Sequence, residues 1–78
     1  MSFLFILPST SYAQSTDIEM AKYYYEQGDF EKAKLYYDKI YNERPSTSIF
    51  IDYLNTLIEL KEYKKAEKIT KKQIKNEK

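Results

Sequence analysis

Apolar residues along most of this chain recur every three or four positions, the period of an amphipathic helix. Ile18, Ala21 and Tyr25, with Met20 and Tyr24 beside them, mark a first helix. Its start is placed at Thr16. Thr16 with Glu19 three residues later fits a capping box, and Asp17 and Glu19 suit the positive end of a helix. Phe30, Ala33, Tyr37, Ile40 and Tyr41 form the stripe of a second helix, Phe30 to about Asn42, with the small Ala33 allowing two helix axes to approach closely. Between the two stands Gly28, the only glycine, where a sharp turn calls for positive φ, and Asp29 follows as a cap. Pro45 cannot continue a helix and ends the unit.

The same layout follows again. Ser46, Thr47 and Ser48 offer caps for a third helix, Ile49 to Leu60, whose apolar residues are Ile51, Tyr53, Leu54, Leu57 and Ile58. A fourth helix, Tyr63 to about Asn76, carries Tyr63, Ala66, Ile69, Thr70 and Ile74, with lysine or glutamate at almost every outer position. The pattern predicts an all-α chain of two antiparallel helix-turn-helix hairpins stacked as a short α-solenoid. The turns themselves repeat. Glu26-Gln27-Gly28-Asp29-Phe30-Glu31-Lys32-Ala33 returns as Glu59-Leu60-Lys61-Glu62-Tyr63-Lys64-Lys65-Ala66, offset by 33 residues. Lys61 replaces the glycine, and a side chain at positive φ costs about 1 kcal/mol. Either the second turn has a different geometry or its hairpin is looser.

The opening residues follow other rules. Met1 to Leu7 is an apolar stretch, followed by Pro8 and a polar run ending at Tyr12. Ser11 and Ala13 place small residues where a signal peptidase reads, giving cleavage before Gln14. Residues 1–13 therefore read as a signal peptide, front-truncated because no basic residue precedes the apolar stretch; the alternative is a disordered tail. The stretch is too short to span a bilayer, so no transmembrane span is expected. Residues 14–45 and 46–78 are then the two repeats of an exported chain, periplasmic or secreted in a bacterial envelope. With no cysteine in the sequence, lipoprotein-type anchoring is excluded.

Composition narrows the chemistry. There is neither histidine nor cysteine, which removes the commonest acid–base and metal-binding groups. Asp52 and Glu59 could be drawn as an acid–base pair, but helix surfaces are full of acids, and no phosphate loop or second apolar wall supports a pocket. No catalysis, cofactor or metal is expected. The net charge of +1 exerts no global pull on nucleic acid, yet it is unevenly spread. Asp17 to Glu43 holds seven acids and four lysines, whereas Lys61 to Lys78 holds eight lysines and three glutamates. Two solvated helix faces would explain this, as would head-to-tail association or an anionic partner. Nine tyrosines include the runs Tyr23-Tyr24-Tyr25 and Tyr36-Tyr37, and one of each run must face away from the core.

At Met20, Ala21 and Tyr24, then Gly28-Asp29-Phe30 at the turn, then Ala33, Tyr37 and Pro45, the chain resembles a tetratricopeptide repeat protein. Leu54, Leu57, Tyr63 and Ala66 carry the second copy. Asp17 departs from the family's tryptophan, Thr70 from an expected aromatic, and no closing proline follows the second copy. The resemblance implies a concave groove lined by the first helix of each hairpin. It would hold Ile18, Lys22, Tyr25 and Glu26 from one, and Ile51, Asp52, Asn55 and Ile58 from the next. Lys22 and Asn55 are too few polar groups for a carboxylate clamp, so a mixed apolar groove for a helix or extended segment is expected. The bland alternative makes Ile18, Ile51 and Ile58 plain core.

The expected function is a protein-interaction scaffold whose partner is a protein or peptide. Two repeats are few for stability, since about three are usually needed. The chain is then a fragment of a longer array with no independent role, a self-associating unit, or a minimal domain stabilised by its partner. A last alternative uses Lys61, Lys64, Lys65, Lys68, Lys71, Lys72 and Lys75 against nucleic acid or anionic lipid. The lack of arginine there argues against nucleic acid.

Overall fold

The computed structural model describes the backbone of residues 10–77 and the side chains of residues 16–77. Within them lie four helices: α1 (Thr10–Glu26), α2 (Phe30–Glu43), α3 (Thr47–Glu59) and α4 (Tyr63–Asn76). Each packs on the next, α1 on α2, α2 on α3 and α3 on α4, and no strand occurs among the described residues. The fold is all-α and repeat-like, as the apolar spacing implies.

Helix α1 begins well before Thr16, which corrects the capping box proposed there. Between Pro8 and Gly28 the sequence has no helix breaker, so nothing stops the helix at Thr16. Residues 1–9 of the proposed signal peptide lie outside the described residues; its remainder, Thr10 to Ala13, is the first turn of α1. The other helix starts follow their caps. Asp29 accepts a hydrogen bond from the Lys32 amide at 3.3 Å, and Ser46 accepts one from the Ile49 amide at 3.2 Å. Glu62 stands before α4 but makes no such bond. Its carboxylate instead meets the Lys34 ammonium of α2 at 2.7 Å, which ties the second turn to the first hairpin.

The two turns have one geometry. In the first, the Gly28 amide donates to the Tyr25 carbonyl and the Asp29 amide to the Tyr24 carbonyl, at 3.0 and 2.9 Å. In the second, Lys61 donates to Ile58 and Glu62 to Leu57, both at 2.9 Å. This is the Schellman ending, which places its penultimate residue at positive φ. Gly28 has φ 79° and Lys61 has φ 61°. The alternative that the second turn is built differently is thereby overturned; the hydrogen-bond pattern holds Lys61 in place despite its side chain.

The core lies along the three helix seams. Ala21, Ala33, Tyr37, Ile40, Tyr41, Tyr53 and Leu57 are almost wholly buried, and Ile49, Ala66 and Ile69 nearly so. Ala21 of α1 and Ala33 of α2 both have no exposed surface and belong to this core. Full burial of a side chain such as Leu57 contributes roughly 2–3 kcal/mol. Two polar residues join this core, Thr56 and Gln73, and both are satisfied. Thr56 Oγ1 donates to the Asp52 carbonyl, while Gln73 accepts from the Tyr41 hydroxyl at 2.6 Å.

Candidate functional site: the cleft between the first helices

Tyr25, Glu26 and Lys22 project from the last turns of α1. Asp52 projects from α3, and Tyr37 of α2 lies between the two helices. These five residues line one open cleft of about 320 Å³. The arrangement follows from the repeat. Residues 22 and 25–26 share a face of α1, and the translation by 33 residues brings α3 alongside, with Asp52 next to that face. Tyr25 is fixed by an edge-on contact with Phe30, ring centres 5.2 Å apart, so it is a preset aromatic wall.

The electrostatics are mixed. One ammonium, Lys22, shares the cleft with two carboxylates, Glu26 and Asp52. Tyr37 is 1% exposed, and burial first, then the neighbouring Asp52, Tyr25 and Glu26, push its hydroxyl up to about 12. It therefore stays protonated at neutral pH and offers a neutral hydroxyl. Two acids beside one base disfavour a peptide's terminal carboxylate. The cleft suits amide and ammonium donors flanked by an apolar side chain on Tyr25.

Of the eight residues proposed for the groove, the cleft gathers four: Lys22, Tyr25, Glu26 and Asp52. Ile18 is half-buried and packs against the core instead. Ile51, Asn55 and Ile58 form an exposed stripe along α3 at helical spacing, outside the cleft. Ile51 is 50% exposed and Ile58 44%, so neither is core between hairpins. That corrects the bland alternative for both, and also their place in the apolar stripe of α3. The buried positions are Ile49, Tyr53, Thr56 and Leu57. α3 has apolar residues on more than one face, and its packing against α2 and α4 selects the face that is buried. The same holds for α4, where Tyr63 and Ile74 are 60% and 57% exposed and Gln73 is buried in their stead.

A second cleft lies between α2 and α4. Asp38, Asn42 and Tyr41 of α2 face Lys65, Lys68 and Lys72 of α4 across about 350 Å³. Tyr53 donates its hydroxyl to Asp38 Oδ1 at 2.6 Å, and Lys65 approaches the same oxygen at 3.6 Å. Lys72 lies over the Tyr41 ring, 5.8 Å from its centre. Among the described residues neither Lys68 nor Lys72 forms an ion pair. Asp38 and Asn42 had no distinguishing signal in the sequence; only the pairing of α2 with α4 across α3 brings them to the lysines.

No family model, curated protein or solved structure matches the chain. Among the described residues no helix is long and apolar enough to cross a membrane.

Proposed function

We propose that this chain is an exported tetratricopeptide-like scaffold that binds a protein or peptide segment along its first helices. The observation that carries this reading is the cleft in which Lys22, Tyr25 and Glu26 of α1 meet Asp52 of α3 over Tyr37. Residues from the first helices of both hairpins converge on one exposed concavity, with a fixed aromatic wall and charges of both signs. That composition suits recognition of a short segment by backbone and side-chain hydrogen bonds beside one apolar anchor. The exposed Ile51 and Ile58 extend the apolar surface along α3.

The test is selection of peptide ligands from a random displayed library on the full chain, followed by titration. Tyr25→Ala and Asp52→Lys are expected to weaken the selected peptides roughly tenfold or more while leaving the helical spectrum unchanged. Ligands indifferent to both variants would contradict the reading.

A second reading is favoured by the lysines of α4. Lys68 and Lys72, which have no carboxylate partner among the described residues, edge the cleft between α2 and α4 and would attract an anionic surface. Binding lost in Lys68→Glu and Lys72→Glu, and suppressed by salt, would select this reading over the first.

A further inference from the structure

We propose that α4 docks on an anionic lipid bilayer, lying in the head-group region with its lysines at the phosphates and Tyr63 and Ile74 at the edge of the acyl chains. The inference rests on the second reading of the α4 lysines, whose partner it names, and is independent of the peptide cleft. α4 carries two strips side by side. Tyr63, Thr70 and Ile74 recur at spacings of seven and four, and Lys64, Lys71 and Lys75 repeat those spacings one residue on. Such spacings keep each set on one side of a helix, and a step of one residue turns the second strip about 100° from the first. The buried Ala66, Ile69 and Gln73 occupy the face toward the rest of the fold.

Tyr63 and Ile74 are both more than half exposed, and Ile74 shares a shallow cleft of about 460 Å³ with Lys68, Lys71, Lys72 and Lys75. The two apolar side chains lie three turns apart, about 16 Å along the axis. The nearby acids are already engaged. Glu67 meets Lys71 at 3.5 Å in an exposed pair, Glu77 accepts from Gln73, Glu62 is held by Lys34, and Asp38 by Tyr53 and Lys65. Among the described residues Lys61, Lys64, Lys68, Lys72 and Lys75 form no ion pair. Each lysine is a point charge on a long apolar stem, so its ammonium can stay at head-group level while neighbouring side chains enter the apolar boundary. A nucleic acid would engage the lysines but leave Ile74 without a role, and no arginine stands between Lys61 and Lys78 to fork a phosphate. A bilayer takes both strips at once, tyrosine being suited to the interface itself.

The experiment is co-sedimentation of the full chain with lipid vesicles, with duplex DNA and the free chain as controls. Vesicles holding about one-third phosphatidylglycerol should bind it, and vesicles of phosphatidylcholine alone should not. Raising salt from about 0.05 to about 0.5 M should weaken binding roughly tenfold, because the charges are screened. Lys68→Glu with Lys75→Glu should weaken it roughly 25-fold or more, about fivefold for each lysine lost. Ile74→Gln removes an apolar contact and no charge, so vesicle binding should fall roughly fivefold, whereas a partner held by charge alone would be indifferent. Tyr63→Trp gives the chain its only tryptophan, whose emission should shift to shorter wavelength on the anionic vesicles. All these positions are exposed, so the helical spectrum should be unchanged. Vesicle binding that ignores Ile74→Gln, or a preference for duplex DNA, overturns the inference and leaves the second reading standing. Binding to neither vesicles nor DNA at low salt ends both. Vesicle binding indifferent to every α4 variant would put the contact elsewhere in the chain, and oligomers of the free chain that Ile74→Gln dissolves would give the face to a second copy. Either result overturns the inference.

Discussion

Gly28 and Lys61 hold the same place in two successive turns, 33 residues apart, with φ of 79° and 61°. The turns share their hydrogen bonds, so the difference between them is chemical. Glycine adopts this conformation freely; lysine does so against its Cβ. Lys61→Gly is expected to raise stability by about 0.5–1 kcal/mol, the strain relieved less the added freedom of the unfolded chain. Nothing lies within 4 Å of a Cβ built on Gly28, so Gly28→Ala acts through backbone strain alone and should lower stability by about 1 kcal/mol. In a domain of this size each change moves the thermal midpoint by about 4–8 °C per kcal/mol, in opposite directions.

Leu57 and Ile58 are neighbours with opposite fates. Leu57 has no exposed surface, whereas Ile58 is 44% exposed. Leu57→Ala should cost about 2–5 kcal/mol, a large part of what a small domain possesses. Ile58→Lys should lie within about 0.5 kcal/mol of the parent. Urea unfolding followed by circular dichroism separates the two.

The buried bond from Tyr41 to Gln73 joins α2 of the first hairpin to α4 of the second. Gln73 also donates to Glu77 Oε2 at 2.8 Å. Gln73→Leu leaves the Tyr41 hydroxyl without its partner and should cost about 1–3 kcal/mol. Tyr41→Phe with Gln73→Leu removes both ends and should recover much of that loss. A double-mutant cycle with no coupling would show that the bond does not form.

Alkaline pH should unfold the protein. Tyr37 titrates near 12 in the native state, and burial pushes Tyr41 and Tyr53 upward too, Tyr53 also through its bond to Asp38. An unfolded tyrosine loses its proton near its ordinary value of 10.0. Above that pH the unfolded chain binds fewer protons than the native one, so stability falls as pH rises. The contribution is whole below about pH 10 and is lost through about pH 12. Denaturant melts across this window should show the decline, and Tyr53→Phe should flatten it.

How much was legible in the sequence depends on how many faces each helix could bury. α2 buries the stripe Ala33, Tyr37, Ile40 and Tyr41 as its spacing implied, and leaves only Leu35 fully outside it. α3 has apolar residues around more than half its circumference, so spacing could not exclude Ile51 and Ile58 from the core. Gln73 and Thr56 reach the core through partners that lie elsewhere in the fold or in the backbone, which a hydrophobicity pattern does not register. At Thr16 the local capping signal was sound, but a helix that continues upstream overrides it. The cleft was half legible. Lys22, Tyr25 and Glu26 share one face of α1 by their spacing, and Asp52 was set opposite them only by the resemblance to a known repeat, whereas Tyr37 enters because α2 lies between α1 and α3.

The central claim is that the second hairpin stacks on the first as a repeat of the same unit, and through-space proton contacts measured by nuclear magnetic resonance test it most directly. Contacts should join Tyr41 to Phe50 and Tyr53 across the hairpin junction, alongside contacts within the first hairpin between the stacked rings of Tyr24 and Tyr36, 5.8 Å apart. Contacts within the hairpins but none between Tyr41 and α3 would mean two independent hairpins, and would contradict the stack on which the cleft rests.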